Sequence, residues 1–213
     1  MVILWITLGI LLFLVVVNLA WRWLSRVRSL PCPSLLAWTL ESPFFQKLNG
    51  TNTALNRLDV RPGQKVLEMG PGPGRLLIPV AQRVLPGGEA VGIDIQPGMI
   101  ERLKSHADKA RTKNLTAILG DATQPHVPEQ SFDLVFLCTV LGEIPDRAAA
   151  LSQCYRALKP GGLLSITEVA GDPHYQRLST VRGLAEKAGF QFQSTQGRWW
   201  FYTATFKKPQ RNS

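Results

Sequence analysis

The stretch Val66-Leu67-Glu68-Met69-Gly70-Pro71-Gly72-Pro73-Gly74 constrains this chain more than any other. A short apolar run ends in an acid and passes into three glycines at alternate positions, which is the signature of a strand feeding a tight turn. Glycine there lets the backbone turn sharply and lets a ligand come close to it. A loop for a dinucleotide pyrophosphate needs G-x-G-x-x-G, but here Arg75 holds the last position and the third glycine comes one residue early, at Gly74. Glu68 points the same way, because a carboxylate beside the loop would repel phosphate and suit a ligand that carries positive charge.

Downstream, apolar runs of strand length alternate with amphipathic segments. Strands are expected at Lys65 to Met69, Ala90 to Ile95, Leu115 to Leu119, Phe132 to Leu137 and Leu163 to Glu168. Helices are expected at Leu76 to Val84, Pro97 to Arg111, Asp146 to Leu158 and Arg177 to Ala188, with Pro79 in a bent first turn. The run Lys159-Pro160-Gly161-Gly162 reads as a turn. Two last strands, Phe190 to Thr195 and Trp199 to Phe206, are joined by an expected turn at Gln196-Gly197-Arg198. The expected fold is α/β: a Rossmann-like, seven-stranded, mostly parallel sheet covered on both faces and ending in an antiparallel hairpin.

Three further segments fall in register with the glycine loop. Gly92-Ile93-Asp94-Ile95 ends the second strand with an acid, Gly120-Asp121-Ala122 follows the third, and Cys138-Thr139 follows the fourth. Together with Val66 to Gly74, these motifs resemble the class I methyltransferases that use S-adenosylmethionine (SAM), particularly the ubiquinone and menaquinone branch. The resemblance runs from about Ala54 to Phe206. It implies SAM as cofactor, held by Glu68, Gly70, Gly72, Gly74, Asp94, Met99, Asp121, Ala122 and Cys138. Asp94 would take the ribose hydroxyls, since a carboxylate offers two acceptor oxygens to a vicinal diol. Met99 would lie beside the adenine and Asp121 would meet its amino group. Cys138 reads as a small buried residue and not as a nucleophile.

An acceptor that must lose a proton needs a base. Glu143, His174 and Tyr175 lie where the resembled family shapes its acceptor pocket and are the catalytic candidates. Taken singly, Glu143 also suits the mouth of the helix starting at 146, and His174 suits an exposed loop.

The N-terminus is of a different character. No charged side chain occurs from Val2 to Trp21, and about 20 residues at 1.5 Å each span roughly 30 Å, the hydrocarbon thickness of a bilayer. Trp5, Trp21 and Trp23 sit where interfacial rings are favoured, and Arg22, Arg26 and Arg28 follow. A cleaved signal peptide would want a basic start and a small-x-small site, and neither is present. The expected organisation is a transmembrane anchor over 1–24, a juxtamembrane linker over 25–50 with Pro31, Pro33 and Pro43, and a catalytic domain over 51–213. The expected location is single-pass in a membrane with the domain on the cytoplasmic side.

The chain carries a net charge of +9, from 24 Lys and Arg against 15 Asp and Glu. An anionic membrane surface accounts for this balance more simply than nucleic acid, which is not an expected partner. Cys32, Cys138 and Cys154, like His106, His126 and His174, are scattered, so neither a disulfide framework nor a metal site is expected. The expected activity is methyl transfer from SAM to a small, lipophilic or membrane-associated acceptor. A non-catalytic SAM-binding membrane scaffold and an NAD-dependent membrane oxidoreductase are the alternatives.

Overall fold

The computed structural model describes residues 50–210, together with scattered positions among the first 23. The chain order is α1 (Thr51–Arg57), β1 (Lys65–Met69), α2 (Leu77–Arg83), β2 (Glu89–Asp94), α3 (Pro97–Lys109), β3 (Leu115–Leu119) and β4 (Phe132–Cys138). A 3-10 turn (Leu141–Glu143) follows, then α4 (Arg147–Ala157), β5 (Leu158–Val169), α5 (Leu178–Lys187), β6 (Gln191–Arg198) and β7 (Phe201–Lys207).

The seven strands form one sheet in the order β3-β2-β1-β4-β5-β7-β6. The first five are parallel, with Val66 beside Ala90 on one side and Leu134 on the other. β7 runs antiparallel to both β5 and β6. β1 and β4 are apolar almost throughout because both faces are covered, and alternate residues serve opposite layers. Leu67, Met69, Val135 and Leu137 pack with Leu151 and Cys154 of α4 and Val181 and Ala185 of α5. Val66, Leu134 and Phe136 pack with Leu55 of α1, Leu77 and Val80 of α2, and Leu103 of α3.

The expected α/β architecture is present, with local differences. Lys159 to Gly162 falls within β5 as a bulge and not as a free turn: Gly161 has φ +81°, the register with β4 jumps from Phe132 beside Leu158 to Leu134 beside Leu163, and the Gly161 amide donates to the Lys208 carbonyl while the Lys208 amide donates to the Gly162 carbonyl. The final hairpin turns at Trp199-Trp200 and not at Gln196-Gly197-Arg198, which continue β6 opposite Thr203, Tyr202 and Phe201. Pro79 is the third residue of α2, where its missing amide falls in the first turn and breaks no helical bond.

The expected anchor and linker lie largely outside the described residues. Among those described, no helix is long and apolar enough to cross a membrane. The described positions within the first 23 are helical, and Trp5, Ile6, Ile10, Leu12, Phe13, Val16, Val17, Leu19 and Trp23 are exposed.

Candidate functional site

Strand order reverses between β1 and β4, and the carboxyl ends of such strands flank the crevice where parallel α/β sheets take ligands. The glycine loop leaves β1 there, and its three glycines have separate duties. Gly70 (φ +73°) sends its amide to the Ile93 carbonyl at 2.8 Å, and a Cβ on it would meet the Val140 side chain at 2.6 Å. A Cβ on Gly74 (φ +92°) would meet Leu103 of α3 at 2.5 Å. A Cβ on Gly72 (φ +53°) would meet nothing within 4 Å, so this residue faces the space a ligand needs.

Asp94 closes the other side of the crevice. Its Oδ2 accepts from the Gly72 amide at 3.1 Å and its Oδ1 from the Gln96 amide at 2.9 Å. At 8% exposure, burial raises its pKa while these two donors pull it back. Glu68 is 3% exposed, and its Oε2 has no hydrogen-bond partner. Burial pushes its carboxyl well up, the Arg75 guanidinium pulls it back and Asp94 adds to the rise. Burial thus works against the charged carboxylate that the sequence placed beside a cationic ligand.

Cys138 ends β4, with its Sγ accepting from Arg75 Nη2 at 3.7 Å. Burial pushes its thiol up to about 12, which leaves it a poor nucleophile at neutral pH. Thr139 follows at φ +57°, a conformation that costs a β-branched residue energy and that gathers at functional sites. It is held by its amide on the Thr167 carbonyl at 2.9 Å and its hydroxyl on the Cys138 carbonyl at 2.7 Å. Met99 is buried in the first turn of α3. Asp121 is exposed and spends Oδ1 on the amide and hydroxyl of Thr123, at 2.7 and 2.8 Å, while Ala122 packs on the core. The preceding Gly120 amide donates to the Asp94 carbonyl at 3.0 Å, so the Asp121 turn is tied to the β2 end.

Two of the three catalytic candidates, His174 and Tyr175, line a second region, a cleft of about 1010 Å³ walled also by Gly142, Arg147, Trp199 and Tyr202, among others; the third, Glu143, is not part of its wall. His174 is 6% exposed, not the exposed loop residue that its setting in sequence suggested. Its Nδ1 lies 3.7 Å from Asp172 Oδ1 and 3.9 Å from Glu143 Oε1. Glu143 ends the 3-10 turn, and it is Asp146 that caps α4, accepting from the Ala149 amide at 2.9 Å. Tyr175 lines the cleft, but its hydroxyl donates to the Trp199 carbonyl and burial raises its pKa, so it serves better as a tie than as a base.

Sequence reasoning missed the groups that hold this arrangement. Arg147 Nε and Nη2 donate to the Leu141 and Gly142 carbonyls at 3.2 Å each. A Cβ on Gly142 would fall 1.9 Å from the His174 carbonyl oxygen, so only glycine lets the two loops touch. Glu168, at 1% exposure on β5, accepts from the Gln176 amide at 3.0 Å, and burial pushes its carboxyl up to about 8. The one signal for it was an acid at the end of a strand otherwise free of charge from Leu163 to Thr167. The segment 138–143 joins the two regions: Val140 packs on Gly70 of the loop, and Gly142 walls the cleft.

Residues 61–201 match the family model described as a methyltransferase domain. Nocamycin O-methyltransferase from Saccharothrix syringae is 36% identical over 113 residues, which are 53% of this chain and 40% of that protein. Demethylmenaquinone methyltransferase from Staphylococcus aureus is 34% identical over 113 residues, 53% of this chain and 46% of that one. The chain thus spans about half or less of the length of these relatives. Among solved structures, a SAM-dependent methyltransferase from Aquifex aeolicus superposes with a TM-score of 0.77 at 18% identity, covering 84% of this chain and all of its own.

Proposed function

The chain belongs to the methyltransferase-domain family and carries a SAM-dependent methyltransferase fold; from that premise we propose that it methylates a small, lipophilic or membrane-associated acceptor bound in the cleft beside His174. The observation that supports the reading is the segment 138–143, where Val140 borders the glycine loop and Gly142 lines the cleft, so that a cofactor at the loop and an acceptor in the cleft would meet along it.

The residues present fit SAM. Glu68 offers a buried oxygen without a partner to a cationic ligand, Gly72 leaves open space, and Asp94 keeps lone pairs for a diol beyond those used by the two amides. Bound SAM supplies a methyl carbon already activated by its positive sulfonium. The protein's own contribution is placement, which can account for much of the acceleration of such a transfer. His174, set between Asp172 and Glu143, is the group to receive a proton from a hydroxyl, amine or thiol acceptor.

Support for a lipophilic acceptor comes from the N-terminal segment. Its described residues are helical and expose apolar side chains, and a membrane anchor over 1–24 with the domain on the cytoplasmic side would concentrate the enzyme among membrane-dissolved molecules. A relative named for demethylmenaquinone is consistent with that class. The test is transfer of labelled methyl from SAM into a solvent extract of membranes dispersed in detergent. Label in an organic-phase product that depends on Asp94 is expected; label confined to water-soluble products rules out the lipophilic acceptor.

A further inference from the structure

The turn between β6 and β7 exposes two adjacent tryptophans, Trp199 at 74% and Trp200 at 48%. Leaving two indoles in water is unfavourable, and their amphipathic rings are at home in the headgroup zone of a bilayer. Three features of the surroundings suit that zone.

The first is positive charge. Arg198 precedes the pair and lines the cleft with Arg177, and Arg57 lies 4.4 Å over the Phe201 ring with Nη1 donating to the Phe201 carbonyl at 3.3 Å. Cations around exposed tryptophans match an anionic lipid surface. The second is the path of the chain. Gly50 packs directly on Phe201, where a Cβ would fall 2.3 Å from the ring. The polypeptide that leads from the apolar N-terminus therefore joins the domain against the same hairpin. The third is the cleft itself. Trp199 is part of its wall, and the Tyr175 hydroxyl ties the Trp199 carbonyl to the loop that carries His174.

We propose that the Trp199-Trp200 tip docks into the headgroup zone of an anionic bilayer, setting the mouth of the acceptor cleft on the lipid surface so that an acceptor enters sideways from the membrane. This rests on the reading of a membrane-associated acceptor and adds the surface that meets the lipid. The tip grips the interface by indole insertion, the arginines hold anionic headgroups around it, and the Tyr175 tie keeps the cleft wall in register with the docked turn.

The test uses the full chain with Trp5, Trp21, Trp23 and Trp38 each replaced by phenylalanine, so that fluorescence reports Trp199 and Trp200 alone. Far-ultraviolet circular dichroism and the rise in Tm with SAM verify the fold. The protein is added to vesicles of phosphatidylcholine and phosphatidylglycerol, with or without bromine on the acyl chains. Blue-shifted emission, quenched about twofold by the brominated lipid, is expected of indoles at the interface. The shift should be smaller on vesicles of phosphatidylcholine alone. Emission that ignores bromine overturns the proposal, whether the tip faces water, lies under another part of this chain or pairs with a second copy. Methylation of the detergent-dispersed extract without quenching would overturn the docking surface alone. Quenching without methylation would leave the surface standing and overturn the acceptor.

Discussion

The Asp94 carboxylate accepts a hydrogen bond from the Gly72 amide at 3.1 Å, which makes the acid at the end of β2 and the glycine loop after β1 one unit. The acid proposed to receive a ribose also sets the shape of the loop that must admit the rest of the ligand. Damage to either is expected to appear in both.

Gly70 and Gly72 should respond differently to alanine. Both have positive φ, which costs an L-residue about 1 kcal/mol. Only at Gly70 does the new methyl strike a neighbour, Val140, 2.6 Å away. Gly70→Ala should lower Tm by several degrees, while Gly72→Ala keeps most of its stability and loses SAM affinity at least about tenfold because its methyl projects into the ligand space. Thermal melts and equilibrium dialysis of the two variants decide it.

Gly142→Ala places a methyl 1.9 Å from the His174 carbonyl oxygen, a backbone atom that can yield only if its loop moves. The expected cost is about 1 to 3 kcal/mol. Turnover on the membrane extract should fall by at least about tenfold, a loss of geometry in the acceptor cleft. SAM affinity should change much less, because the clash falls on the His174 loop and not on the glycine loop or Asp94. Equal losses in both would contradict the assignment of Gly142 to the acceptor side.

Glu168 should make the protein less stable as pH rises. Its carboxyl titrates near 8 when folded against an ordinary 4.5, so between those values the folded state binds more protons than the unfolded state. Stability from this group is fully present below about pH 4.5, declines by on the order of 1 kcal/mol per pH unit, and levels off above about pH 8. Glu168→Gln removes that decline and can still accept from the Gln176 amide. Urea melts at several pH values should show the variant gaining on the parent toward pH 8; parallel curves would contradict a buried neutral carboxyl.

The geometry of the crevice proposed for the cofactor was largely legible because it is built from consecutive residues at strand ends, where motif and position coincide. Val66 to Gly74 and Asp94 needed only the alternation of strands and helices to be brought together. The acceptor side is different. His174, Glu143, Arg147 and Glu168 come from three separate segments, and their meeting depends on the absent side chain of Gly142 and on buried hydrogen bonds that leave no spacing in the sequence. The hairpin turn was misplaced for a related reason. Gly197 is a natural turn residue with φ +98°, yet the β7 register carries it into β6, where Arg57 crowds the site a Cβ would take.

The most direct test is calorimetric titration of the full chain with SAM and with its demethylated product, repeated on Asp94→Asn. The account predicts saturable binding at one site in the parent. In the variant, whose amide group replaces one acceptor oxygen with a donor facing backbone N–H groups, binding should be weaker by roughly 10- to 100-fold, the worth of charge-assisted hydrogen bonds. No heat of association in the parent, or equal affinity in the two proteins, would contradict it.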